Sequence, residues 1–257
     1  MSDLQSHPVA ATAPAGPGLT QMQRVTNIFS APSKTFIDIR DHSRSWWMPL
    51  VIMAVVGYIF FAVIYTRIGM QQVVDNQNHL SPKAEERLAQ ATPEQRALSN
   101  KISMGITEGI FVAGPLVTLI MAAAGSLILW GTINFMFGGK AKYGSILAVW
   151  IYSWLPVIIK PILGCILIFT GIAPESFNIR NYAPTNLAAL LMNPLESNVA
   201  VYSLVSSIDI ITIWTLILAG IGAATVAGVK RSSGYIAVFG WWAILVLGGA
   251  GLAAAFN

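Results

Sequence analysis

Between Trp46 and Thr66 the chain carries no Asp, Glu, Lys or Arg, and four further runs are nearly as free of charge. They cover about Ile106 to Phe137, Ser145 to Phe169, Tyr202 to Val229 and Tyr235 to Phe256. A helix rises about 1.5 Å per residue, so roughly 20 apolar residues cross a hydrocarbon core about 30 Å thick. Each run is long enough to do so. No alternating ten-residue strand pattern offers a barrel, and a backbone in lipid must satisfy its own hydrogen bonds, so the runs are read as helices. The fold class that follows is all-α: an integral membrane bundle of five transmembrane helices.

Charge supports this reading. Charged residues make up 10% of the chain and hydrophobic ones 55%, whereas a soluble domain carries roughly 25% charged residues. The net charge of +4 is too small and too scattered for a nucleic-acid footprint, and no Lys/Arg run is interleaved with aromatics. The first apolar run begins near Trp46 and is too long for a signal-peptide core, so it is expected to stay as an anchor. Trp46 and Trp47 suit the membrane interface, and Pro49 falls where a missing N–H costs little.

Outside the runs, residues 1–22 are rich in Ala, Pro, Gly and Thr and are expected to form a disordered tail, leaving 23–257 as the membrane domain. From Arg24 to Arg40 apolar and charged residues alternate around Pro32. That pattern predicts a broken amphipathic segment lying at the membrane interface; the alternative is a short helix packed under the spans. Ser81-Pro82 and Thr92-Pro93 each place a cap residue before Pro, which predicts two short helices in the first loop. "TNLAALLM" in the third loop is read as a short re-entrant or interfacial helix.

Basic residues in short loops set orientation. Arg24, Lys34, Arg40 and Arg44 precede span one; Lys140 with Lys142, and Lys230 with Arg231, fill the two tight turns without an acid. The predicted N-terminus is therefore cytoplasmic, and the first-loop helices exoplasmic.

Three ionisable residues fall in or near the spans: Glu108, Lys160 and Asp209. A charge in the hydrocarbon core costs at least about 2.5–3.5 kcal/mol, so each needs a partner. Lys160 and Asp209 are predicted to approach each other, with Glu108 as a possible third member. The functional reading is a proton or ion relay. The simpler one is a pair that fixes helix register, because a single pair makes no path. Pro156 and Pro161 in "WLPVIIKP" are expected to kink span three, either to line a site or to bend around neighbours. Small residues, Ala219, Ala223 and Ala227 on span four and Gly248 and Gly251 on span five, suit close helix packing.

Catalytic signatures do not occur: there is no HExxH, GxSxG, P-loop or GxGxxG. Cys165 has no second cysteine to pair with, and His7, His42 and His79 lie far apart in sequence. The chain is accordingly read as no enzyme, with no cofactor or metal and no nucleic-acid partner. Its expected partners are the bilayer and other membrane proteins.

Three segments together resemble the bacterial branch of the Yip family, polytopic membrane proteins whose eukaryotic members associate with Rab GTPases. "RVTNIFSAPSKTFIDI" followed by "SWWMPLVI" supplies Phe29, Pro32, Thr35, Phe36, Trp47 and Pro49. "GGKAKYGSILAVWIYSWLP" supplies Gly139, Tyr143, Tyr152, Ser153, Trp154 and Pro156. "SSIDIITIWTLILAGIG" supplies Asp209, Trp214 and Gly220. The likeness runs from about Arg24 to the C-terminus. It implies a five-helix domain with a cytoplasmic N-terminus, in a bacterial cytoplasmic membrane. The acidic-aromatic "DLYGP" motif of the eukaryotic branch does not occur, and the resemblance carries no Rab partner over. The leading expectation is a non-enzymatic scaffold or membrane-organising protein. The alternative is a small transporter or channel subunit using Lys160 and Asp209 at the kinked third span.

Overall fold

A computed structural model describes residues 17–193 and 197–256, so most of the predicted disordered tail lies outside the described residues. Its last part does not: Thr20 caps the first helix, α1 (Gln21–Ser30), through a reciprocal capping box with Gln23. Ala31 closes α1 and Pro32 opens α2 (Pro32–Asp41), where its missing N–H is harmless. The two form a helical hairpin. Its apolar face, with Ile28, Phe36 and Ile39 fully buried, packs against protein, chiefly the third and fourth spans.

The first span is α3 (Trp47–Arg67), followed by α4 (Met70–His79), α5 (Pro82–Gln90) and α6 (Pro93–Val112). Thr92 and Gln95 form a second capping box, so the Thr-Pro signal marks a real helix start. The second span departs from the predicted 106–137. The helix breaks at Ala113, ahead of Pro115, into α6 and α7 (Gly114–Gly131), and α7 continues as a π-helical turn, Thr132–Met136. The third span, Tyr143–Phe169, comprises α8 (Tyr143–Ser153), a 3₁₀ turn at Leu155–Ile158 and α9 (Ile159–Phe169). The tightened turn begins beside Pro156, where the α-helical ladder cannot continue.

The third loop contains α10 (Leu187–Leu191), capped by the Asn186 side chain, and α11 (Val199–Ser207). The fourth predicted span, 202–229, is interrupted as well: α11 ends at Ser207 and α12 (Ile210–Ala227) starts afresh after Asp209. The last span is α13 (Arg231–Phe256). Five helical stretches are long and apolar enough to cross a membrane, and the described residues contain no strand. An isolated bridge joins Asn186 to Asp209.

The spans divide into an inner and an outer set. Over its most apolar window α12 is 56% buried, against 17% for α3 and α13. Glycine explains how α12 reaches the centre. A Cβ on Gly222 would stand 2.5 Å from Val149 and 2.8 Å from Phe36, so the missing side chain is the slot into which Phe36 wedges between α12 and α8. A Cβ on Gly234 would stand 2.2 Å from the Gly220 carbonyl oxygen, which brings α13 backbone-close to α12. Ala219, Ala223 and Ala227 are buried as the small-residue pattern suggests, but the space around Gly248 and Gly251 is open.

The α7–α8 turn is pinned from several sides. Asn134 donates to the Ala141 carbonyl (2.9 Å) and accepts from its N–H (3.0 Å), Trp130 Nε1 donates to the same carbonyl, and Lys140 N–H donates to Ala227 O (3.1 Å). Gly138 takes φ +69°, which a side chain would oppose.

Candidate functional site: two polar joints in an apolar bundle

Asp209 is the N-cap of α12. Its Oδ1 accepts from the Thr212 N–H at 2.8 Å and lies 3.1 Å from Lys160 Nζ, on the first turn of α9. Its Oδ2 accepts from Thr185 Oγ1 at 2.6 Å. Lys160 Nζ also donates to Thr212 Oγ1 at 3.4 Å. Asp209 is 3% exposed, while the Lys160 side chain is 24% exposed. The carboxylate thus sits against the positive end of the α12 dipole, with every oxygen engaged. Asp209 is not one or two turns inside a continuous span, as predicted, because the break at Ile208–Asp209 puts it at the helix start. Backbone groups freed by that break pair with the loop instead: Leu187 N–H donates to Ile208 O and Ile210 N–H to Thr185 O.

The joint extends outward through side chains. Asn186 donates to Asn181 Oδ1 at 2.6 Å, and Asn181 donates to the Tyr202 hydroxyl at 3.1 Å. The Tyr182 ring packs against Phe60 of α3 in a tilted contact, with centroids 4.5 Å apart. Gly164 makes room for both rings: a Cβ there would stand 2.7 Å from Phe60 and 2.9 Å from Tyr182. Burial, aided by the Asp209 charge, pushes the Tyr182 phenol above its ordinary value. Asn76 of α4 donates to Pro174 O and Phe177 O, which fastens the first loop to the third.

Glu108 takes no part. It lies on α6, ahead of the break at Ala113, and has no ion-pair or hydrogen-bond partner among the described residues. The bend that Pro115 imposes separates it from the span to which sequence assigned it.

The second joint was not foreseen. Arg24 on α1 and Asp38 on α2 form an ion pair between Arg24 Nε and Asp38 Oδ2, with the two residues 2% and 4% exposed. Asp38 Oδ1 accepts from the Leu19 N–H at 2.8 Å and lies 3.2 Å from His42 Nδ1. Thr35 Oγ1 donates to Arg24 O, and the Tyr152 hydroxyl of α8 donates to Gln21 Oε1 at 2.8 Å. The alternation of apolar and charged residues puts Arg24 and Asp38 in the same amphipathic segment but does not by itself pair them. A usable signal was present: both stand seven residues from Ala31, so a hairpin folded at that point brings them opposite each other.

Several of the motif residues gather around this second joint. Phe29 meets Trp214 edge-on at 5.8 Å, Phe36 fills the Gly222 slot, and Thr35, Pro49, Tyr152 and Ser153 are buried. Trp154 stacks on Trp150, Tyr143 donates to Ala123 O at 3.0 Å, Gly139 abuts Ala227 and Gly220 abuts Tyr235. Trp47 stands exposed at the start of α3. Phe29, Phe36 and Tyr152 thus join the N-terminal hairpin to α8 and α12, while Gly139, Tyr143 and Gly220 serve contacts between the spans themselves.

Five apolar spans whose buried charges are paired at helix ends define a multi-pass integral membrane protein, and its solvent is the lipid bilayer. Residues 26–252 match the Yip1 domain, and the chain belongs to the Yip1 domain family. The membrane protein YknW of Bacillus subtilis (strain 168) is 23% identical over 229 residues, covering 89% of each chain. No solved structure matches the chain.

Proposed function

We propose that this chain is a non-enzymatic scaffold or membrane-organising protein of a bacterial cytoplasmic membrane, with its N-terminus in the cytoplasm and other membrane proteins as partners. The observation that carries the reading is the engagement of Asp209: Lys160, Thr185 and Thr212 occupy its oxygens, so the charged pair holds helix ends together and leaves no free carboxylate oxygen at this joint for a relay. The rigid joints and tight turns suit a platform, and the basic turns at Lys140, Lys142, Lys230 and Arg231 suit an anionic cytoplasmic leaflet. The transporter alternative rests on the partial exposure of Lys160 beside the 3₁₀ break.

Reconstitution into liposomes with ion- and proton-flux assays separates the two. The scaffold reading expects flux no greater than that of empty liposomes. A clear flux that disappears on Lys160→Met would overturn it in favour of transport. Affinity capture of the full chain in mild detergent then identifies the partners.

A further inference from the structure

Along one face of α3, Val56, Ile59 and Arg67 follow one another at helical spacing, and α9 presents Ile162, Cys165, Ile166 and Phe169 opposite them. Between the two helices lies an open groove of about 400 Å³ with an almost wholly apolar lining. No described residue fills it. Both helices end on the same side of the bundle, where the Arg67 guanidinium stands 5.1 Å above the ring of Phe169. Arg67 is exposed and has no carboxylate partner among the described residues.

We infer that this groove seats one acyl chain of an anionic phospholipid, whose phosphate is met by Arg67. Two features commit it to that occupant. The first is length: along the α9 lining, from Pro161 to Thr170, a helix rises about 14 Å, close to the roughly 15 Å of one hydrocarbon leaflet. The second is the placement of charge. An unpaired cation stands where the apolar lining stops, at the level of a headgroup, and a guanidinium matches phosphate geometry. A helix of a second copy would fill the apolar length but would leave Arg67 without a partner. The inference holds whether or not the bundle also recruits proteins.

Native mass spectrometry of the full chain in mild detergent, with equal amounts of phosphatidylglycerol and phosphatidylethanolamine, tests it. One retained lipid is expected, with phosphatidylglycerol preferred about fivefold, the selectivity that one basic residue near a membrane surface confers. Arg67→Gln levels the two lipids, whereas Lys101→Gln, on exposed α6, leaves the preference intact. Ile162→Trp fills the groove and lowers retention of both. Cys165, the one cysteine of the chain, gives a reading in unaltered protein: phosphatidylglycerol slows its alkylation by N-ethylmaleimide more than phosphatidylethanolamine does. Equal retention of the two lipids by the unaltered protein overturns the inference, and so does alkylation indifferent to lipid. An Ile162→Trp protein that keeps its lipid but turns from dimer to monomer assigns the groove to a second copy instead.

Discussion

Replacing Asp209 by Asn and by Ala separates the two things its carboxylate does. Asn keeps an oxygen that can accept the Thr212 N–H, so the α12 cap survives while the charge pairing with Lys160 is lost. Removing one partner of a buried ion pair costs about 3–5 kcal/mol; Lys160 is a quarter exposed and can turn toward water, so the lower end applies, about 3 kcal/mol. Ala removes the cap too and leaves Thr185 Oγ1 without its acceptor, which adds about 1–2 kcal/mol. For a chain of this size each kcal/mol moves the melting temperature by about 2–4 °C, so Asn is expected to lower it by about 6–12 °C and Ala by several degrees more. Tryptophan fluorescence during heating in detergent measures both. Hydrogen exchange locates the damage: the Leu187 and Ile210 amides, which bridge the loop to the start of α12, should lose protection before those of α8 do. Adding Lys160→Met to Asp209→Asn removes the orphaned cation and should restore part of the loss. If Asn and Ala melt alike, or if the double variant is no better than Asp209→Asn, the joint is not built as described.

Asp38→Ala leaves Arg24 buried without a counter-charge and should cost about 3–5 kcal/mol, while Arg24→Met combined with Asp38→Leu should melt well above it; equal melting of the two proteins would falsify the buried pairing. Phe36→Ala empties the slot at Gly222 and is expected to cost about 3–5 kcal/mol, read as loosened α1–α2 in limited proteolysis. Gly234→Leu forces α13 off the Gly220 carbonyl and should lower the melting temperature more than Gly248→Leu, where the space is open. The raised Tyr182 phenol means that the folded protein holds this proton longer than the unfolded one. Stability from this residue is therefore unaffected below about pH 10 and falls as pH rises past it, and Tyr182→Phe should remove that alkaline step from thermal melts.

Much of the architecture was legible in the sequence because hydropathy and helix punctuation are local. The charge-free length of Trp46–Thr66 demands a span whatever surrounds it, and Thr92-Pro93 starts a helix through atoms within three residues of each other. Breaks were harder to place. Pro115 ended a helix inside a run read as continuous, and the capping carboxylate of Asp209 restarted one, so an acid read as mid-span became a cap.

Sequence by itself thus determined the solvent, the number of spans and the approach of Lys160 to Asp209, two opposite charges among apolar residues that needed each other. Tertiary structure decided which apolar faces meet protein and which are left open. It sank the α1–α2 hairpin against α8 and α12, paired Arg24 with Asp38, left Glu108 alone and opened a groove beside Arg67. The physical reason is that lipid tails and protein interiors are equally apolar, so hydropathy cannot tell them apart; only the shape of the packed helices, set by glycines such as Gly222 and Gly234, makes that choice.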